Sequence, residues 1–118
     1  MDLEERCIYM TIVIPPPAVE VDKAGSPAYV IRWIRTISGV GLLEGKNIFA
    51  QNTGWNTNFN QEDKEAYDIA CAERDIVKQR CATEPTTIVF PEPFTRKECH
   101  DALHNFHDAL TFSFSTKK

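Results

Sequence analysis

Three histidines offer the plainest chemistry in the chain. His100, His104 and His107 are spaced by four and three residues, so on a helix they fall on one stripe. His-x-x-x-His sets two imidazoles one turn apart, a spacing that suits a divalent metal, and His107 would supply a third ligand. A divalent metal is therefore the one cofactor the sequence offers, and without it the reading is no cofactor. The glutamate that follows the first histidine of the zinc-protease signature is missing, since Asp101 stands there. The competing reading is structural: histidines beside an apolar helix face cover the edge of the core or line a subunit contact. The four cysteines, Cys7, Cys71, Cys81 and Cys99, form no Cys-x2-Cys pair. They read as free thiols of a reducing compartment.

A second constellation suits recognition rather than catalysis. Residues 52–60 read Asn-Thr-Gly-Trp-Asn-Thr-Asn-Phe-Asn, a loop rich in amides with two large aromatics. Trp55 and Phe59 would stack on a ring while Asn56 and Asn58 read its edges; alternatively the rings tuck into the core and the asparagines only shape turns. Upstream, Tyr29, Arg32, Trp33 and Arg35 alternate aromatic and cationic groups, a combination that holds planar anions by stacking and charge. The plainer account makes them a solvated flank whose stems pack on the core. Glu73 and Arg80 interrupt an otherwise apolar helical arc, and such breaks in pattern gather at functional or interface sites. Glu73 thus reads as a buried carboxylate contacting a ligand, or as half of a structural ion pair with Arg80 reaching solvent.

These residues need elements to position them. A nearly continuous apolar run at residues 7–14 reads as a strand buried on both faces, and Pro15-Pro16-Pro17 ends it. Residues 19–21 would add a short edge pairing. Ser26-Pro27 starts a helix that Gly39 stops near residue 38, with Val30, Ile31, Ile34 and Ile37 inward. Gly39, Gly41 and Gly45 bracket a turn, and Asn47 to Gln51 reads as a strand. Asn60 caps a long helix to about residue 82, with Ala66, Ile69, Ala70, Ile76, Val77 and Cys81 as its apolar arc.

The most legible unit comes last. Thr86 to Phe90 is β-branched and aromatic between Pro85 and Pro91, a short strand. Thr95 and Glu98 form a Thr-x-x-Glu capping box opening a helix to residue 110, whose core arc is Cys99, Ala102, Leu103, Phe106 and Leu110. Thr111 to Ser115 alternates polar and aromatic, as a half-buried antiparallel edge strand does. The order β-α-β-α-β-α-β predicts a four-stranded mixed sheet packed with three helices in a two-layer α+β sandwich, with a small doubly wound α/β domain as the alternative.

Length and composition bound the rest. With 118 residues, 42% hydrophobic and 25% charged, the chain reads as a single globular domain over residues 1–118. A net charge of −4 excludes a non-specific nucleic-acid binder, which carries a basic surface. No apolar run reaches membrane-spanning length and the acidic N-terminus is no signal peptide, so the expected location is cytoplasmic. No glycine loop, nucleophile–base pair or phosphate-binding signature is present.

The sequence therefore favours a non-enzymatic binding protein. It would sequester a small anionic, nucleotide-like ligand or inhibit a partner protein, as small acidic phage proteins often do, and act as a homo-oligomer. A small enzyme built on the histidine helix is the second reading. A subunit of a larger assembly, with the histidines and Arg80 as contacts, is the third.

Overall fold

The computed structural model describes residues 4–17 and 27–117. Two compact units emerge, residues 1–15 with 85–118 and residues 16–84. The expected pairing at residues 19–21 and the cap at Ser26 lie outside the described residues.

The first unit is built on β1 (Tyr9–Ile14), β2 (Thr86–Val89) and β3 (Thr111–Ser115), in the order β2-β1-β3 with both pairings antiparallel. Ile12 stands between Ile88 on one side and Phe112 on the other. One face of the sheet therefore carries Met10, Ile12, Ile14, Ile88, Phe112 and Phe114. Met10, Ile12, Ile14 and Ile88 are almost wholly buried. The opposite face, with Tyr9, Thr11 and Val13, is only half-buried. The apolar run at residues 7–14 is thus not a strand buried on both faces. Its alternate residues differ in burial although all are apolar or aromatic except Thr11, so hydrophobicity alone hides the period of two.

Ile8 bridges to Phe94, and Phe90 meets Phe94 edge to face with ring centres 5.3 Å apart. Thr95 then opens α4, Arg96–Phe106, through the expected capping box: its hydroxyl accepts from the Glu98 amide, and the Glu98 carboxylate accepts from the Thr95 amide. The helix ends at residue 106, not 110. Cys99 and Ala102 point inward, whereas Leu103 is 43% exposed. Burial pushes the Cys99 thiol up to about 11, with the charges of Glu98 and Cys7 adding to it.

The second unit is helical: α1 (Ala28–Ser38), α2 (Leu42–Thr53) and α3 (Lys64–Thr83). Gly39 closes α1 in the left-handed conformation at φ 74°, its amide donating to the Arg35 carbonyl. The expected strand at 47–51 is the second half of α2. Its buried residues Gly45, Ile48 and Phe49 recur at three and four, the helical spacing, and five residues are too few to separate that spacing from a strand's. Gly45 is also where α1 and α2 approach closely, since a Cβ there would lie 2.9 Å from the Arg35 Cγ. Gly54, at φ 78°, stops α2.

Among the described residues the sheet therefore has three antiparallel strands, not four mixed ones, and there are four helices, not three; the α+β character stands. Among the described residues no helix is long and apolar enough to cross a membrane.

Candidate functional site

The segment after Gly54 is held to α3 by a residue outside the candidate set. The inner stripe of α3 is Ala70, Arg74, Val77 and Cys81: the first, third and fourth are buried and Arg74 is half-buried. The expected members Ile69 and Ile76 are instead 53% and 58% exposed. From that stripe the Arg74 guanidinium reaches the Asn56 carbonyl through Nε at 2.9 Å and Nη2 at 2.6 Å. The same group lies 4.7 Å from the centre of the Trp55 ring and 4.1 Å from that of Phe59, so charge, stacking and a forked hydrogen bond act together. Phe59 packs on Tyr67 at 4.7 Å and Trp55 on Phe49 at 5.8 Å. The side chains of Asn56 and Asn60 accept from the amides of Asn58 and Glu62, closing local turns. Asn60 does not cap the helix; Asp63 does, accepting from the Ala66 amide.

This framework encloses a cleft of about 390 Å³ within the helical unit. Its apolar wall comes from Pro27 and Ile31 at the start of α1, Leu43 and Phe49 of α2, and Trp55. Its polar groups are Lys46, Asn47, Thr57 and Arg74. Among the described residues two cations and no carboxylate line it, an apolar slot with a positive rim. Its size falls within the range of small-ligand pockets.

The structure brings only part of the expected site together. Trp55 lines the cleft, while Phe59 lies beneath Arg74 and Asn56 is committed to the loop. Asn58 is exposed and outside the cleft lining. Of the α1 group, Tyr29, Arg32, Trp33 and Arg35 do not line the cleft; the helix contributes Pro27 and Ile31 instead. The Tyr29 hydroxyl donates to the Cys81 carbonyl, one of the last four of α3, which lack helical partners. Burial pushes the Tyr29 phenol up to about 12, and charge on Cys81 adds to the shift. Arg35 lays its stem against Gly45 and donates to the Val40 carbonyl at 3.4 Å. Glu73 is exposed rather than buried and accepts from Asn56 Nδ2 at 3.2 Å. Arg80 is exposed, and its carbonyl receives the amide of Glu84.

On α4, the rings of His100 and His104 lie parallel with centres 6.2 Å apart. His107 sits past the helix end, with Nδ1 3.3 Å from the His104 carbonyl and Nε2 3.1 Å from Asp108. Among the described residues no group of three His, Cys, Asp or Glu side chains converges as a metal requires.

Sequence reasoning missed Arg74 and Lys46. The signal for Arg74 was the repeat of Ala70, Val77 and Cys81 at seven and four, which puts residue 74 on the same inner stripe. Lys46 was hidden by reading residues 47–51 as a strand. Comparisons with protein-family models, with curated proteins and with solved structures give no significant match.

Proposed function

We propose that this protein is a non-enzymatic binding protein that holds a small anionic ring compound, of nucleotide type, in the cleft of its helical unit. The observation that carries the reading is the cleft lining: the aromatic ring of Trp55 beside apolar Ile31, Leu43 and Phe49, with Lys46 and Arg74 as its only charges among the described residues. A planar ring enters the apolar slot against Trp55. A phosphate or carboxylate on that ring meets Lys46, which is exposed and mobile enough to follow it. Asn47 and Thr57 give donors and acceptors for polar edges. The free thiols of all four cysteines support a cytoplasmic, reducing location.

Titration of the ribonucleoside monophosphates against tryptophan fluorescence tests this. Saturable binding is expected, abolished by Trp55→Ala and weakened about tenfold or more by Lys46→Glu, since one reversed ionic contact in a partly desolvated site outweighs 1.4 kcal/mol. Binding by nucleotides and uncharged nucleosides alike would remove the anionic part of the reading. No binding by any of them, or binding indifferent to both substitutions, would overturn it.

A further inference from the structure

The two edges of the sheet differ. β2 is four residues long and is flanked by Glu84-Pro85 and Pro91-Glu92-Pro93, with the prolines and charges that stop an edge from pairing. β3, Thr-Phe-Ser-Phe-Ser, has none of these: no charge, no proline, no glycine, and a continuous register on β1 from Tyr9↔Ser115 to Val13↔Thr111. Among the described residues no strand pairs with its outer edge.

The sequence of β3 also reads nearly the same about its centre. An antiparallel copy laid against it with Ser113 on a two-fold axis pairs Ser113 with Ser113, Phe112 with Phe114 and Thr111 with Ser115. Such self-complementarity is what a two-fold interface between identical chains needs. Phe112 and Phe114 stack with ring centres 6.0 Å apart on the core face. Phe114 nevertheless remains 40% exposed while Met10, its partner on β1, is fully buried. The apolar face thus runs out to the rim and stops there unfinished. Charge agrees as well: exposed Asp108 precedes the strand and exposed Lys117 follows it, so antiparallel copies bring opposite charges to each end.

We infer that two copies of this chain pair through β3, antiparallel about Ser113, joining their sheets into one of six strands. Backbone hydrogen bonds along the edge provide the attraction, and the two Phe112–Phe114 cross-strand pairs fix the register. The inference uses no residue of the cleft and stands or falls apart from it.

Sedimentation velocity of the full chain tests it, with amide hydrogen exchange at two concentrations. The wild type should be a dimer, and the amides of residues 111–115 should gain protection as it forms. Ser113 is exposed, and across the two-fold axis each substitution there meets itself. Ser113→Lys and Ser113→Glu should each be monomeric, and their mixture should recover a one-to-one heterodimer. A monomeric wild type would overturn the inference, as would a dimer whose new protection lies outside β3. A dimer that survives both single substitutions would do the same. If either variant failed to fold, the wild-type exchange pattern alone would decide.

Discussion

At the residue scale, Arg74 organises more of the site than any residue singled out by type. It spans the Asn56 carbonyl and the rings of Trp55 and Phe59. A lysine in its place keeps the charge but loses the fork and the flat cation. Arg74→Lys is therefore expected to lower stability by about 1 kcal/mol or more and to shift tryptophan emission to the red as the loop loosens. Urea unfolding followed by fluorescence measures both, and an unchanged midpoint would show that the loop needs no such anchor. Tyr29 acts differently, as a tie from α1 to the last turn of α3. Its phenol ionises in the unfolded chain near the ordinary value of 10 and in the folded protein near 12. The stabilisation is whole below about pH 10 and is lost as pH rises toward about 12. Melting curves across that window should fall less steeply for Tyr29→Phe than for the wild type, and parallel curves would contradict the assignment.

At the element scale, the stops proved easier to read than the interiors. Gly39 and the Thr95–Glu98 box each mark a helix end from local chemistry, because caps satisfy backbone groups that no distant residue can. The interior of α2 was misread because Asn47 to Gln51 shows β-branched and aromatic residues in a window too short to reveal their period. Gly54 marks the end of α2 and could have corrected that reading. Its φ of 78° has open space around it, so the cost of a side chain there comes from the backbone alone. Gly54→Ala should destabilise by about 1 kcal/mol and displace Trp55, the next residue. Thermal unfolding with tryptophan emission as the probe checks this; an alanine variant as stable as wild type would mean that α2 tolerates a different stop.

At the scale of the whole molecule, α+β character, the start of β2, both ends of β3 and the loop that carries Trp55 were all legible. Each rests on local signals: prolines at strand ends, alternation at 111–115, and aromatics in an amide-rich loop. The strand count and the cleft were not, because both depend on α2 being a helix, which brings Lys46 and Phe49 to the side of Trp55. Glu73 likewise changed from core to surface because the true inner stripe of α3 is rotated toward Arg74. A chain of net charge −4 nevertheless presents a cleft lined, among the described residues, by two cations and no carboxylate, and that local reversal of sign is the basis for the anionic ligand proposed. Titration of the isotopically labelled protein with ribonucleoside monophosphates, followed by two-dimensional NMR, tests this most directly. Saturable shifts are expected at the Trp55 indole and at the amides of Lys46, Asn47 and Thr57, with no such response to the uncharged nucleosides. Shifts confined to residues outside the cleft, or none at all, would contradict it.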